Sequence, residues 1–312
     1  MKLTRDNYVR TGAWLRRYAR PLEMARWEYL FENGTKERVI RYLLAFQNED
    51  GGFGHGLEPD FWLPSSSPMA TWVASQILLE IGADFQDQIV QSLVSYLITT
   101  PQIVSGMWPS VLPDNNLHPH APWWRWAEEV QGSWMYNPSV ELAAFLVVWS
   151  PSESEGAELG WVSVAQAISY VMSVTSMERH EISNFRNCLS LLKPYEESFR
   201  LRTGYSFSQV AHKVQILIRD VIDQDIANWG TGYKPLPLDF IRHPDDSLYQ
   251  ALKPLVEHNL RFYVQQMSTE GVWDLSWSWE QYPEEFSIAR RQWQGILAVE
   301  RYKVFRAFGW ME

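Results

Sequence analysis

The sequence predicts an all-α protein made of stacked helix hairpins. Three observations carry this. Apolar residues recur at helical spacing along most of the 312 residues, and alternating strand patterns rich in β-branched residues are scarce. A Gly-aromatic turn, a long loop, a proline and a new helix follow one another several times. Long connections alternate with much shorter ones, the pattern expected when helix pairs stack in a ring with the long loops on one rim. Together these give roughly ten to twelve helices.

The elements follow in order. Residues 1–33 hold Lys2, Arg5, Arg10, Arg16, Arg17, Arg20 and Arg26 against four acids, with Trp14, Leu15, Leu22, Trp27 and Leu30 interspersed. This reads as an outer helix with a solvated face; contact with an anionic lipid surface is the rival reading. In 68–82, Met69, Trp72, Val73, Ile77 and Ile81 fall near one stripe, and in 84–99 Ile89, Val90, Leu93, Val94 and Leu97 do the same. The run SVELAAFLVVW at 139–149 is apolar almost all round, which suits a helix buried on every side. Residues 161–174 and 181–193 form a further pair. Residues 205–226 carry Phe207, Val210, Val214, Leu217, Ile218 and Val221 on one face. The last helix, 285–309, ends at Gly309, a helix-stopping residue.

The recurrent turns are Gln47 to Phe53, leading to Pro68; Ser105-Gly106-Met107-Trp108, leading to Asn137-Pro138 and Glu141; Trp229-Gly230-Thr231-Gly232-Tyr233, leading to His243-Pro244 and Asp246; and Gln266 to Gly271-Val272-Trp273, leading to Tyr282-Pro283 and Phe286. No low-complexity linker divides the chain. The SPSESEGAE patch at 150–158 is an exposed loop, so one domain over 1–312 is expected.

Composition narrows the function. The net charge of −10 repels phosphate backbones, so nucleic acid is not the expected partner. Cys188 is the single cysteine, which excludes an internal disulfide and a Cys-rich zinc site. MKLTRDNYVR lacks an apolar signal core, and no uninterrupted apolar run has spanning length, so a cytoplasmic protein is expected. There are 17 Trp, 14 Tyr and 14 Phe, a supply suited to cores and to cavity walls alike.

Residues 47–82, and within them Gln47, Gly51-Gly52-Phe53-Gly54, Ala70-Thr71 and Ile77…Gly82, resemble the repeat of protein prenyltransferase β-subunits and squalene-type terpenoid cyclases. The resemblance is looser at 229–250 and 266–297 and poor at 175–200. It implies an α/α toroid around one aromatic-walled cavity. The family's catalytic motifs are not present. Cys188 follows Arg186-Asn187, so the Asp-x-Cys zinc pair is missing. Neither Pro113-Asp114-Asn115-Asn116 nor Pro244-Asp245-Asp246 matches the cyclase Asp-x-Asp-Asp acid, and the complement-type thioester string is absent. Only the scaffold and a cavity rim transfer.

The long loops concentrate acids and aromatics. Asp60, Glu58, Asp114, Asp239 and Asp274 are the candidate acids, with Asp60 first because it is near Trp62 and follows the best-matching turn. A carboxyl beside indole in a dry site keeps its proton near neutrality. His55, Trp62, Trp72, Trp108, Trp124, Trp229, Tyr233, Trp273 and Trp277 are the candidate substrate walls. The opposing reading has aromatics clamping loops to helix ends while the acids face water. Asp245 and Asp246 precede a helix, where capping accounts for them. Asp114, His118 and His120 have ligand-type side chains but lack a fourth ligand, and no metal or other cofactor is expected. The resemblance implies an isoprenoid or other apolar substrate and acid-initiated chemistry. A glycoside hydrolase-like enzyme on an α/α barrel and a non-catalytic binding toroid are the alternatives.

Overall fold

A computed structural model describes residues 2–102 and 106–312; Ser105 of the second turn lies outside them. The helices are α1 (Arg5–Tyr18), α2 (Pro21–Phe31), α3 (Lys36–Leu43), α4 (Pro68–Glu80), α5 (Gln88–Thr99), α6 (Val130–Trp134), α7 (Ser139–Trp149), α8 (Glu155–Ser173), α9 (Arg179–Leu192), α10 (Glu196–Thr203), α11 (Phe207–Val221), α12 (Pro237–Phe240), α13 (Tyr249–Gln266) and α14 (Pro283–Ala307). Among the described residues, β pairing is confined to isolated bridges, so the protein is all-α. No described helix is long and apolar enough to cross a membrane. The chain divides into two compact units, Leu43–Val221 and Met1–Tyr42 with Ile222–Glu312.

In the unit Leu43–Val221, α7 is the central helix. All its residues except Val148 are buried, as its all-round apolar sequence requires. It packs on α4, α5, α8 and α9. The approach of α8 depends on Gly160, where a Cβ would lie 2.8 Å from the Ala143 carbonyl oxygen. Hydrogen bonds join Tyr136 to Glu181, Asn137 to Asn184 and Glu141 to Asn187. Both partners advance together, so α7 and α9 run parallel. Contacts of α8 run the other way: Tyr170 stacks on Tyr136, whereas Gly160 meets Ala143. Helix α8 is thus the return between two parallel helices.

The helices of this unit start where local chemistry stops the preceding loop. Ser67 caps α4 by accepting from Ala70 N at 3.1 Å, with Pro68 as the first helical residue. The turn before it is closed by Asn48 N donating to Gly52 O at 2.8 Å and Gly51 N to Asn48 O at 3.0 Å. Gly51 has φ +89°, and a Cβ there would sit 2.1 Å from Ser92 O, so only glycine fits. The aromatic residue after the turn is then tied to the coming helix. Phe53 N donates to Thr71 Oγ1 at 3.1 Å, and Trp108 N donates to Ser139 Oγ at 3.0 Å.

The second unit repeats this construction. Ser268 N donates to Val272 O at 2.8 Å and Gly271 N to Ser268 O at 3.0 Å, and Gly271 has φ +87°. Trp273 Nε1 reaches back to Tyr263 O at 2.7 Å, as Trp108 Nε1 does to Leu97 O at 3.0 Å. Helices α2 and α14 run parallel, with Arg26 bonded to Glu300 and Arg306 to Leu30 O. Helix α1 is antiparallel to α14: Thr11 meets Tyr302 at 3.0 Å, and Leu3 N donates to Trp310 O at 2.9 Å.

The turn at Trp229–Tyr233 departs from the expected repeat. Asp225 caps a short 3-10 turn at Ile226–Asn228, and Trp229 Nε1 folds back onto Asp223 O at 3.1 Å. The helix expected at Asp246 begins at Tyr249. Asp246 instead accepts from Leu248 N at 2.9 Å, fixing the preceding turn.

Candidate functional site

Within the unit Leu43–Val221 two buried carboxyls sit in the first turns of the parallel helices α7 and α9. Glu141 is 2% exposed. Its Oε2 accepts from Trp72 Nε1 at 2.8 Å and from Asn187 Nδ2 at 3.1 Å, and its Oε1 accepts from Gln76 Nε2 at 3.2 Å. Three helices, α4, α7 and α9, thereby meet on one carboxyl. Trp72, Gln76 and Asn187 are themselves only half-buried, whereas the carboxyl they share is buried. Cys188, beside Asn187, is wholly buried, and that burial pushes its thiol far up.

Glu181 has a different environment. It is 7% exposed and accepts from Tyr136 N at 3.3 Å. Burial raises its carboxyl from 4.5 to about 7; the Tyr136 N–H opposes the rise and the Glu178 carboxyl adds to it. The Tyr136 ring stacks on Tyr170 at 4.2 Å. Burial pushes the Tyr136 phenol up to about 12. Glu178 caps α9 by accepting from His180 N at 2.7 Å. Burial, with the Arg179 charge beside it, lowers His180 to about 4, so the imidazole is neutral at pH 7. Trp134 stands over His180 with the rings within 13° of parallel and centroids 6.4 Å apart. Asn184 donates to Asn137 Oδ1 at 3.0 Å, while its own Oδ1 is buried without a hydrogen-bond partner.

The two long loops ahead of α4 and α7 lie against each other. Trp62 N donates to Pro119 O at 2.9 Å, and Ala121 N to Asp60 O at 2.7 Å. Phe61 meets Trp124 edge-on at 5.2 Å, and Trp124 meets Trp134 at 5.3 Å. An aromatic line therefore runs from the first loop to His180. The Trp124 Nε1 atom in this line is buried and unbonded.

The residues singled out from the sequence fall in several places. Glu58 and Asp60 are buried, and Glu58 Oε2 accepts from Asp60 N at 2.6 Å, which closes the loop on itself. Trp62 Nε1 donates to Pro59 O at 3.0 Å. His55 is exposed, at φ +56°, and bonds Asn48 Oδ1 at 2.8 Å. Asp114 is exposed in a 3-10 turn, and His120 Nδ1 bonds His118 O at 2.6 Å. Trp72 reaches Glu141, so it belongs to the buried acid pair. Trp108 is fully buried with its N–H given to a helix carbonyl, which accounts for it as core.

The other six lie in the second unit. Trp273 is fully buried in the same manner as Trp108. Trp229 is buried edge-on to His258 and Phe262. Exposed Tyr233 meets Trp277 at 5.3 Å, joining the loops 229–244 and 273–285. Asp239 Oδ2 accepts from Leu236 N at 2.8 Å in a helix cap. Asp274 accepts from Arg290 Nε at 2.7 Å, and that guanidinium holds its carboxyl below the usual range. An ionised, exposed Asp274 is not a proton donor at pH 7.

A surface cavity of about 500 Å³, lined by Asp50, Ser66, Tyr96, Thr99, Thr100 and Leu112 among others, includes neither Glu141 nor Glu181. Among the described residues no group of three His, Cys, Asp or Glu side chains is placed to hold a metal ion. Glu141 and Glu181 are not among the loop acids singled out from the sequence. A signal for Glu141 was available: it is the one charged residue in SVELAAFLVVW, a helix with no outer face. Glu181 lies in RHEISN, which reads as solvated. Family models, curated proteins and solved structures alike contain no match to this chain.

Proposed function

We propose that the chain is an α/α-toroid enzyme that starts its reaction by protonating its substrate, with Glu181 as the acid. What supports this above all is the burial of Glu181 against Tyr136 at the start of α9, which raises its carboxyl to about 7. Such a carboxyl can donate at neutrality, which ion-paired Asp274 cannot match. Glu141, held by Trp72, Gln76 and Asn187, supplies a second carboxyl fixed in place by three donors. Parallel helices with an antiparallel neighbour in each unit, and the turn shared by residues 48–53 and 268–273, support the toroid.

The resemblance of residues 47–82 suggests an isoprenoid cyclisation, in which the proton goes to a double bond. A glycosidic oxygen needs the same donor. The test is turnover of farnesol, its diphosphate, squalene and a panel of oligosaccharides by the protein and by Glu181→Gln. We expect one class to be consumed and the variant to lose at least about a hundredfold. Turnover that survives Glu181→Gln undiminished would overturn the assignment.

A further inference from the structure

We infer that the surface cavity of about 500 Å³ beside the end of α5 binds an organic ammonium ion, a protonated amine on an apolar carbon body. The cavity lies wholly within the unit Leu43–Val221, and neither Glu141 nor Glu181 lines it, so it is independent of the proposed acid. Its polar lining comes from two places. Asp50 and Ser66 belong to the first turn and the loop ahead of α4, and Tyr96, Thr99 and Thr100 to the end of α5. Gly52 lets that turn lie on the Tyr96 ring, since a Cβ there would be 2.6 Å from Tyr96 Cε2.

The polar side chains here offer acceptors rather than donors. Ser66 Oγ gives its one proton to Asp50 Oδ1 at 2.7 Å. Thr99 Oγ1 gives its proton to Ser95 O at 2.9 Å, and Thr100 Oγ1 to Tyr96 O at 2.7 Å. These hydroxyls have only lone pairs left for a ligand. Among the lining side chains only the Tyr96 phenol has a proton not spent in this way. Asp50 is exposed and takes both its hydrogen bonds on Oδ1, from Ser66 and from Gly52 N at 2.9 Å. Its Oδ2 has no hydrogen bond or ion pair among the described residues.

The charge has the matching sign. Helix α5 has no basic residue in its last turn, so no charge of its own offsets its negative carbonyl end. Between Arg41 and Arg125 the chain has eight Asp or Glu and no Lys or Arg. An anionic ligand meets repulsion and few donors here, whereas an ammonium group brings three N–H donors and a positive charge. Pro68, Pro101, Pro109 and Leu112 make the remaining wall apolar, which suits the carbon body. A metal ion needs several oxygen ligands, and Asp50 is the one carboxylate of the lining.

The test is calorimetric titration of the full chain at pH 7 and low salt with tryptamine, 2-phenylethylamine and octylamine, with the alcohol counterpart of each, and with calcium chloride. At least one amine should bind saturably, its alcohol at least about tenfold more weakly, and calcium not at all. Asp50→Asn keeps the Oδ1 acceptor for Gly52 and Ser66 and removes the charge, so it should weaken the amine about tenfold. Leu112→Trp fills the cavity without touching the Asp50 turn and should weaken the amine by at least as much. Asp220→Asn, which removes the same charge from an exposed position on α11, should leave binding unchanged. Failure of all three amines to bind, alcohols that bind as tightly as their amines, or calcium binding that is lost in Asp50→Asn overturns the inference. So does amine binding that ignores both Asp50→Asn and Leu112→Trp.

Discussion

Replacing Glu181 by Gln should change how stability depends on pH more than stability itself. The unfolded carboxyl titrates near 4.5 and the folded one at about 7. Below pH 4.5 both states hold the proton and the group contributes nothing. Between 4.5 and 7 the unfolded chain releases it first, so stability falls as pH rises. Above about 7 the full penalty remains, about 3 kcal/mol for a side chain this buried. His180 acts in the opposite sense. Its folded value of about 4 is below the ordinary 6.5, so stability rises with pH between those limits. Partial exposure reduces that gain to about 2 kcal/mol. In the wild type the two slopes overlap between pH 4.5 and 6.5 and largely offset. In Glu181→Gln the His180 rise remains, opposed by Glu178, whose carboxyl is also raised by burial. Urea unfolding followed by tryptophan fluorescence from pH 4 to 8 measures both. The variant should gain about 3 kcal/mol on the wild type across that range, with any constant loss of the Tyr136 hydrogen bond cancelling. A difference that stays flat within about 0.5 kcal/mol would refute a buried, proton-holding Glu181.

Three further expectations concern the scaffold. Glu141→Ala leaves the Trp72, Gln76 and Asn187 donors without their shared acceptor, and should cost about 3 kcal/mol in urea midpoint measurements. Gly51→Ala meets both a positive φ and the Ser92 carbonyl oxygen, whereas at Gly82, with φ +66°, a Cβ would have nothing within 4 Å. Alanine should therefore cost about 1 kcal/mol at Gly82 and several times that at Gly51, read as melting temperatures. Trp108→Phe and Trp273→Phe each remove one indole-to-carbonyl bond in equivalent turns, and should lower stability by about 1 kcal/mol apiece.

Much of the scaffold was legible because its causes are local. The apolar run at 139–149 became α7, and Pro68 with Ser67 began α4 where the pattern placed it. The Gly-aromatic turns at 51–53 and 271–273 share bonds because both need a left-handed residue ahead of a buried aromatic. The turn at Trp229 looked alike in composition but not in structure. Asp225 captures the chain two residues on, a competition that residue types alone do not decide. The acids were legible only in part. Loop carboxyls beside tryptophans are close in sequence, yet Glu58 spends its oxygen on Asp60 N and Asp274 is claimed by Arg290, sixteen residues away. Glu181 owes its environment to Tyr136 and Tyr170 on other elements. Desolvation of that kind is set by tertiary packing and leaves no mark in RHEISN.

The central claim is that Glu181 holds a proton near neutrality where it is buried at the start of α9. It is tested most directly by carboxyl carbon NMR of protein labelled at glutamate side chains, with Glu181→Gln assigning the resonance. The account expects one glutamate titrating near pH 7 whose signal is missing from the variant. A Glu181 resonance titrating near 4.5 would contradict it, and with it the acid on which the proposed chemistry depends.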